Sequence, residues 1–509
     1  MKVLEEIESI CPECLNEGKV KKITAHIVEE DSKIWIKKTC DEHGEFKDLY
    51  FSDSDVYHRW EKFGVEGDEV KGVKKFRLYD KHISQTVLTN LLVTNRCNLR
   101  CNYCFMNAGA SGHVYEPSLE QIREMMKRAR DQKPVPSKAI QITGGEPTLR
   151  EDLVDIIKMA KDLGFRHIQV NTNGLKLAED EEYCKKLKSL GVDTIYLSFD
   201  GLTRETNPWI EQNKEAIENL RSAKLCVVLV PTVIKNRNLH QVGPIVEYAL
   251  DNIDVVRGVN FQPISFCGRA SGKEVQEGRV DYVMLFKELE KTFEGKISRD
   301  DFYPVPFMYP ISKLVETLRG EKQVEFTAGF GCGGATYLFK DGDRIIPITR
   351  FIKIERFMRF IDKLSKKKGP LKKARIVGSF LKNSSKFLDK EKAPRGININ
   401  KIVINAITKG DYGSLGAFHY TSLYVGSMWF QDAHNMNIDR LRRCVIHYST
   451  PEGIVPFCSY NGLGIGEEIR KKHAISIEEW EKQTGKKLID DLWQSGPLSQ
   501  TIKITDFVK

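Results

Sequence analysis

From residue 86 onward the chain alternates between short apolar runs and longer segments whose apolar residues recur at helical spacing. The apolar runs are predicted strands, because parallel strands buried on both faces consist of nearly continuous hydrophobic residues. Six such runs occur in the order TVLTNLLVT, KAIQITGGEP, RHIQVNTNG, DTIYLSFDG, LCVVLVPTVI and VRGVNFQPIS. They predict an α/β fold with six β–α units, a partial (β/α)6 barrel that lacks two units of a closed one. Functional residues are therefore expected in the loops at the carboxyl ends of these strands.

Residues 1–55 follow a different pattern and predict a small separate module. The alternating stretch ITAHIVEEDSKIWIKKTC is typical of a β-hairpin, which returns Cys40 to the pair formed by Cys11 and Cys14. His43 follows three residues after Cys40 and supplies a fourth ligand. Three thiols and one imidazole at this spacing predict a tetrahedral site for zinc or for rubredoxin-like mononuclear iron. The spacing does not distinguish between the two metals.

The rest of the chain divides into a linker, the barrel and a C-terminal region. Residues 56–85 are polar without a clear apolar period, and they predict a linker to the barrel at residues 86–300. Residues 301–509 are less regular and predict a C-terminal α+β domain packed against the barrel mouth.

Composition indicates a globular protein of a reducing compartment. The chain has 509 residues, 41% hydrophobic and 29% charged, and no run approaches the ~20 apolar residues of a membrane span. The N-terminus shows no signal-peptide pattern, which favours a cytoplasmic location. Twelve cysteines are then more readily explained as metal ligands than as disulfides.

Three cysteines in the run CNLRCNYC, at the end of the first barrel strand, indicate the chemistry. Thiolates from Cys97, Cys101 and Cys104 would hold three irons of a [4Fe–4S] cluster and leave the fourth open. The motif resembles that of the radical S-adenosylmethionine (SAM) superfamily, with Tyr103 as the aromatic residue before the last cysteine. The resemblance implies that the open iron binds SAM and that one electron cleaves SAM to a 5′-deoxyadenosyl radical. A structural zinc loop is the alternative interpretation.

Other strand ends fit a pocket for SAM. In the superfamily a GGEP-type motif binds the methionine amine, because glycine backbone can approach closely, and here Glu146 would add charge. The polar ends of the next strands could bind ribose hydroxyls and the methionine carboxylate, although Asn-Gly and Asp-Gly are also typical of tight turns. The predicted cofactor-binding residues are Tyr103, Gly144, Gly145, Glu146, Asn171, Asn173, Ser198, Asp200 and Gln262.

The remaining cysteines fall into two groups. Cys184 and Cys226 lie in a predicted helix and strand and are expected to be small buried hydrophobic residues. Four others lie in Gly-rich or loop segments and predict at least one auxiliary [4Fe–4S] cluster: Cys267, Cys332, Cys444 and Cys458. His434 or His447 could replace one of these thiolates.

Positive charge is concentrated in the C-terminal half. The net charge is +9, yet residues 351–395 alone hold 15 Lys and Arg against four acids. This basic segment predicts a surface for phosphate-bearing partners. A helix over 351–364 would carry one apolar face, suited either to an anionic membrane surface or to the protein's own core. Nucleic acid is not expected, because the phenylalanines of this segment stand among aliphatic residues, a pattern that suits lipid chains better than base stacking.

The order of the motifs resembles the archaeal tetraether lipid synthase family over nearly the full length. An N-terminal CPxC…CxxHG module, the run NRCNLRCNYCF and the segment GCGGATYLFKDGDRIIPITRF carry this resemblance. It implies coupling of the terminal saturated carbons of two archaeal isoprenoid ether-lipid chains, with two SAM cleavages for each bond. It also implies a rubredoxin-like iron, auxiliary [4Fe–4S] chemistry, a low-potential electron donor and a peripheral position at the inner membrane surface.

Three other functions share these motifs. One is a radical SAM methyltransferase acting on a pterin-type small molecule, and the second is a maturase that modifies a peptide. The third is a non-catalytic iron–sulfur electron carrier, which GGEP and SFDG disfavour because electron transfer requires no SAM pocket.

Overall fold

The computed structural model describes residues 1–268, 275–395 and 421–492. The first module is an antiparallel four-stranded sheet in sequential order. A short helix, Pro12–Asn16, connects its first two strands. The strands are β1 Lys2–Ile10, β2 Lys22–Glu30, β3 Lys33–Cys40 and β4 Gly44–Phe51.

The predicted parallel barrel sheet is confirmed. Its strands, with two short flanking ones, are β5 Leu88–Leu92, β6 His113–Val114, β7 Ala139–Thr143, β8 His167–Thr172, β9 Thr194–Ser198, β10 Cys226–Val230, β11 Thr232–Val233 and β12 Val256–Pro263. The order β5-β7-β8-β9-β10-β12 is parallel throughout. The loops that leave the carboxyl ends of these strands therefore lie together at one end of the barrel.

Amphipathic helices cover the outside of this sheet. The main ones are Leu119–Arg130, Leu153–Asp162, Glu181–Ser189, Ile210–Ser222, Val242–Asp251 and Tyr282–Thr292. The first begins with a capping box, in which Ser118 and Gln121 satisfy each other's backbone N–H groups. Its apolar positions Ile122, Met125 and Met126 are buried.

Strands from the C-terminal half extend both edges of the barrel sheet. They are β13 Tyr303–Pro304, β14 Gly333–Asp341, β15 Arg344–Pro347, β16 Leu423–Met428, β17 Ile446–Thr450 and β18 Gly453–Pro456. The last strand, β19 Ile475–Ser476, pairs with β6 in a separate two-stranded sheet. β16 runs parallel to β12 and β17 runs parallel to β5, so one further parallel strand is added at each edge of the six predicted strands. This differs from a C-terminal domain that only packs against the barrel mouth. The physical reason is that open edges leave backbone groups unpaired, and the returning chain pairs with them.

The predicted linker is also structured. Helix Ser54–Glu61 crosses the expected boundary at residue 55 and buries Trp60, whose ring stacks on Tyr282 at 5.0 Å between centroids. Val56, Tyr57 and Trp60 are buried and lie at helical spacing, but the many charged residues around them made this segment look like a polar linker. This helix joins the N-terminal module to the barrel.

The basic segment folds onto the protein itself. Helix Ile354–Ser365 packs on Tyr309–Arg319 and Lys372–Asn383, and the shared cluster consists of Leu314, Leu318, Ile361, Leu364, Ile376 and Phe380. The apolar face of helix Ile354–Ser365 therefore packs against the protein's own core and is not available for contact with a membrane. No helix in the described part of the chain has the length and apolarity needed to cross a membrane. The predicted region 301–509 includes residues 396–420 and 493–509, which lie outside the described residues.

The last helices flank the cysteine-rich region. They are Ile438–Arg442, Phe457–Gly462, Ile465–Lys472 and Ile477–Thr484. The pairing of β19 with β6 brings the last of these helices beside the loop that follows β5.

Candidate functional site

A cavity of about 380 Å³ opens at the carboxyl ends of the barrel strands. Its lining includes the three cysteines of the CNLRCNYC loop and most of the predicted cofactor residues. These are Cys97, Cys101, Tyr103, Cys104, Gly144, Gly145, Asn171, Asn173, Ser198 and Asp200. Among the described residues no fourth cysteine lines this cavity. Three thiols facing one enclosed space fit a cluster that keeps one iron open.

The backbone of the cysteine loop turns toward its thiols. The Leu99 N–H donates to Cys97 Sγ at 3.4 Å, and the Ala108 N–H donates to Cys104 Sγ at 3.5 Å. Burial raises the pKa of Cys97. N–H groups aimed at sulfur stabilise thiolate charge and tune the potential of a bound cluster. The loop is therefore organised for metal-bound thiolates.

The base of the loop is tied to distant segments. The Arg96 guanidinium donates to Glu116 and to both carboxylate oxygens of Asp491, each at 2.9 Å. It also lies 4.8 Å from the ring of Trp480. Arg96 is buried, and it directly precedes the first cysteine. These contacts fix where the loop leaves β5.

The two glycines of GGEP allow the loop after β7 to contact the cysteine loop. The Gly145 N–H donates to the Thr94 carbonyl and the Glu146 N–H to the Arg96 carbonyl, both at 2.8 Å. A Cβ at Gly145 would lie 2.2 Å from the Arg96 oxygen, and one at Gly144 would lie 2.7 Å from the Thr94 oxygen. Here glycine is required by close backbone approach. Contact of this motif with the methionine amine remains a prediction.

Glu146 does not line the cavity and is fully buried. Its carboxylate accepts from Thr148 N at 3.0 Å, Thr148 Oγ1 at 2.6 Å, Thr172 Oγ1 at 2.8 Å and Asn173 N at 2.8 Å. Burial raises its pKa, and these donors oppose that shift. Glu146 was predicted to add negative charge to the SAM pocket, but its carboxylate is used for hydrogen bonds within the protein. Glu146 connects the loops after β7 and β8.

We expect Glu146→Gln to weaken this connection. The amide would direct an N–H₂ donor at groups that are themselves donors, which costs about 1–3 kcal/mol in the free energy of unfolding. SAM affinity should fall as the Asn173 loop shifts. Chemical denaturation and anaerobic calorimetry with SAM measure the two effects. Glu151→Gln, at an 83% exposed side chain, is the matched control and should leave both quantities unchanged. Equal behaviour of the two variants would contradict this role.

Tyr103 and Asp200 are joined across the cavity. The Tyr103 hydroxyl donates to the Asp200 carboxylate, whose other oxygen accepts from Thr232 N at 2.8 Å. The Arg237 guanidinium lies 4.9 Å from the Tyr103 ring and donates to Asn102 at 3.3 Å. Burial raises the pKa of Asp200. This contact holds the end of the cysteine loop against β9 and β11.

Sequence reasoning missed several residues of the cavity wall. Asn207, Trp209 and Asn213 follow β9, and Arg237 follows β11. The run Asn-Pro-Trp shortly after SFDG and the cation in VIKNRN are local signals that could have indicated them. Asn173 additionally donates to Asn98 of the cysteine loop at 2.7 Å.

The N-terminal module brings its four predicted ligands together. One donor atom from each of Cys11, Cys14, Cys40 and His43 lies within 4.8 Å of the others. Cys14 Sγ is 3.9 Å from Cys40 Sγ and 3.5 Å from His43 Nδ1. Tetrahedral sites with metal–sulfur bonds of about 2.3 Å have edges of about 3.8 Å, so the geometry fits one metal ion. His43 Nε2 lies 3.1 Å from Glu17, which orients the ring as metal-bound histidines require.

Cys14→Ser should remove one metal ion per chain. A neutral hydroxyl is a much poorer ligand than a thiolate, and metal binding stabilises small modules of this kind. Elemental analysis of the purified protein measures the loss and identifies the metal as zinc or iron. Cys226→Ser, a partly exposed cysteine far from the site, should keep the full metal content. An unchanged content in Cys14→Ser would show that the four ligands do not form a metal site.

Comparison with known proteins extends these observations. Residues 91–249 match the Radical SAM superfamily model, and residues 3–52 match the HMPTM N-terminal zinc ribbon domain. A 7,8-dihydro-6-hydroxymethylpterin dimethyltransferase of Methanocaldococcus jannaschii is 44% identical over 497 residues, 93% of this chain and 96% of the relative. The chain belongs to the family of this radical SAM enzyme.

Other similarities of this radical SAM protein are more partial. A probable GTP 3′,8-cyclase of Saccharolobus islandicus is 31% identical over 47% of this chain and 76% of its own length. The crystal structure of methylornithine synthase gives a TM-score of 0.33 at 14% identity, covering 42% of this chain and 64% of that one.

Membership defines the main cofactors. The radical SAM protein uses a [4Fe–4S] cluster with SAM, which fits the three thiols of the cavity. The zinc ribbon match agrees with a metal site in the first module. Both cofactor predictions are confirmed at this level.

The prediction of lipid coupling is contradicted. The 44% identical relative is named for methyl transfer to a pterin, which overturns the expected ether-lipid substrate and anionic membrane partner. Two of the motifs behind the lipid resemblance, the first module and the cysteine loop, fit metal and SAM sites, and such sites recur in enzymes with different substrates. The burial of the apolar face of helix Ile354–Ser365 agrees with this correction.

The predicted auxiliary ligands occupy neighbouring positions around residues 429–431. The Trp429 N–H donates to the Cys332 carbonyl at 3.0 Å, and the Gln431 N–H donates to Cys458 Sγ at 3.4 Å. Cys267 and Cys458 line one small cavity, and Cys444 is not part of its lining. The Cys444 thiol donates to the Ile446 carbonyl at 3.0 Å.

Three other predicted or considered residues lie outside the SAM cavity. Gln262 lines the small cavity with Cys267, because β12 continues beyond β10 and carries it past the larger one. The imidazole of His447 contacts Thr86 at 2.8 Å and His82 at 3.0 Å, so its two nitrogens face protein groups. Cys184 is buried in its helix, as expected.

Proposed function

We propose that this protein is a radical SAM methyltransferase that adds two methyl groups to a reduced hydroxymethylpterin. The observation that carries the proposal is the 44% identity to a protein of that name across nearly the whole of both chains. The aligned region spans the zinc ribbon, the barrel and the C-terminal strands, and so covers the segments that form the walls of the site as well as the cysteine motifs.

The cavity suits a small planar substrate beside SAM. When bound, the cluster and SAM supply a 5′-deoxyadenosyl radical that removes hydrogen from carbon. Cys97, Cys101 and Cys104 would hold the cluster, and the Tyr103–Asp200 contact would hold their loop closed. Phe105 and Trp209 offer flat aromatic surfaces to a heterocycle. The cavity volume is within the ~300–1,000 Å³ range of small-molecule sites.

The proposal includes an auxiliary [4Fe–4S] cluster at Cys267, Cys332, Cys444 and Cys458. Cys332 and Cys458 are linked through the backbone of residues 429–431, and Cys267 adjoins the cysteine loop. A Cβ at Gly268 would lie 2.6 Å from the Cys104 carbonyl oxygen, which shows how closely the two loops approach. A low-potential electron donor is required to supply the electron that cleaves SAM.

The test is anaerobic turnover of the reconstituted protein. The mixture contains dithionite, methyl-labelled SAM and 7,8-dihydro-6-hydroxymethylpterin, and parallel mixtures add a reduced-folate one-carbon donor. Mass spectrometry should show pterin products heavier by one and then two CH₂ units, together with 5′-deoxyadenosine. The label identifies the methyl donor.

Cys101→Ala serves as the control, because it removes one cluster ligand and should abolish both products. An unchanged pterin in the presence of rapid SAM cleavage would overturn the proposed substrate. Mass spectrometry of tightly bound material provides an independent readout, since a co-purified lipid or peptide would also contradict a pterin enzyme.

A further inference from the structure

Arg440 is a buried cation near the proposed auxiliary ligands. It lies on helix Ile438–Arg442, four residues before Cys444, and is 6% exposed. Its side chain donates to the Trp429 carbonyl at 2.9 Å, while Nε has no hydrogen-bond partner. Within residues 1–268, 275–395 and 421–492, no carboxylate forms an ion pair with it.

Its neighbours on the same helix are different. Arg442 and Arg443 both pair with Asp439 and Glu66 at the surface. Asp439 and Glu66 therefore pair with Arg442 and Arg443, and neither pairs with Arg440. A guanidinium cannot lose its proton at any ordinary pH, and an unpaired buried charge costs several kcal/mol. An anion next to Arg440 would offset this cost.

The groups around Arg440 indicate which anion this is. Burial disfavours its charge, whereas Coulombic attraction to surrounding groups holds the pKa of Arg440 above its usual value. Those groups are two thiols and two phenols: Cys332, Cys458, Tyr50 and Tyr282. Burial raises the pKa of both phenols, so they remain neutral. The two thiols, those of Cys332 and Cys458, belong to predicted ligands of the auxiliary cluster.

Arg440 and Cys332 both border Gly329. A Cβ at Gly329 would lie 3.2 Å from Arg440 Cγ and 3.5 Å from Cys332 Sγ. Both residues also hydrogen-bond the backbone of Trp429, Arg440 through its guanidinium and Cys332 through its carbonyl. Metal-bound thiols are deprotonated, so a cluster here would supply the missing negative charge.

We propose that Arg440 is the buried counter-cation of the auxiliary cluster and raises its reduction potential. This inference rests on the proposed auxiliary cluster and is independent of methyl transfer to a pterin. Reduction by one electron from dithionite adds one negative charge to the cluster, and dithionite is oxidised. A fixed positive charge beside it stabilises the reduced form more than the oxidised form.

The test is a redox titration of the full-length holoenzyme followed by electron paramagnetic resonance. Addition of SAM perturbs the signal of the open cluster, so the signal that SAM leaves unchanged belongs to the auxiliary cluster. Arg440→Met should make reduction of that cluster at least tenfold less favourable, a shift of about 59 mV to lower potential. Arg442→Gln removes the same charge from the same helix at a solvated position and should cause no shift.

Each result decides the proposal. An unchanged auxiliary potential in Arg440→Met, or wild-type protein without iron beyond the SAM cluster and the ribbon, would overturn it. If Arg440→Met does not take up the auxiliary cluster, Arg440→Lys shows whether uptake depends on the positive charge of residue 440 or on the shape of the arginine side chain. Recovery of iron in Arg440→Lys supports the counter-cation, whereas failure of both variants would assign Arg440 a packing role. Failure of pterin methylation with a shifted potential would affect only the proposed substrate.

Discussion

Gly145→Ala is expected to reduce SAM cleavage by about 10²-fold or more, because misplacing a catalytic group by about 1 Å is enough for a loss of this size. The new Cβ would lie 2.2 Å from the Arg96 carbonyl oxygen and 2.9 Å from the Cβ of Cys97. Backbone atoms cannot rotate away, so the two loops must separate. That separation moves Cys97 and breaks the pairing of Gly145 with Thr94.

Production of 5′-deoxyadenosine and the iron content of the reconstituted protein measure this effect. Gly378→Ala is the matched control, since this glycine lies in helix Lys372–Asn383 and, apart from its own helix turn, no atom of the described residues lies within 4 Å of the added carbon. It should leave SAM cleavage unchanged and stabilise the protein by about 0.4–1 kcal/mol. Normal cleavage in Gly145→Ala would show that the close approach of the two loops is unnecessary.

Arg279→Ala is expected to lower the free energy of unfolding by about 3–5 kcal/mol, the usual cost of leaving a buried charge uncompensated. The guanidinium donates to Asp432 at 2.7 and 3.1 Å and to Asp48, and all three side chains have little or no exposure. Asp48 belongs to β4 of the N-terminal module, whereas Asp432 follows β16. Arg279 thus joins three distant parts of the chain.

Urea unfolding of the metal-loaded protein measures this loss. Arg395→Ala removes an arginine that pairs with Asp341 at 2.9 Å but is 83% exposed, and it should cost less than about 1 kcal/mol. A triple variant, Asp48→Asn with Arg279→Met and Asp432→Asn, should recover much of the stability by removing all three charges. If Arg279→Ala were as stable as Arg395→Ala, the triad would not hold the module to the barrel.

The loop at Cys97, Cys101 and Cys104 and the ribbon ligands Cys11, Cys14, Cys40 and His43 could be identified from the sequence alone. In both cases the ligands lie close in sequence or are joined by one hairpin, so local spacing decides their geometry. The roles of Glu146 and Gln262 could not be assigned in this way. The Asn173 N–H finds its acceptor 27 residues away, and the turn around Glu146 must form for its carboxylate to meet Thr172.

The substrate was the largest error of sequence interpretation. The first module and the cysteine loop, which carried the resemblance to the lipid synthase family, fit a metal ion and a [4Fe–4S] cluster with SAM, whereas a substrate is selected by the cavity wall. Residues of that wall lie outside the cysteine motifs: Trp209 directly precedes helix Ile210–Ser222, and Arg237 lies on the short helix Lys235–Asn238. Comparison across the full chain therefore carried more weight than motif order.

The sequence by itself determined the radical SAM chemistry, the six parallel strands and the metal ligands of the first module, because each depends on local period or spacing. Only the tertiary structure decided that β16 and β17 extend the barrel sheet, that Arg279 joins Asp48 to Asp432, and that Arg440 is buried beside Cys332. These features depend on contacts between distant segments, which form because open sheet edges and buried charges must find partners when the chain folds.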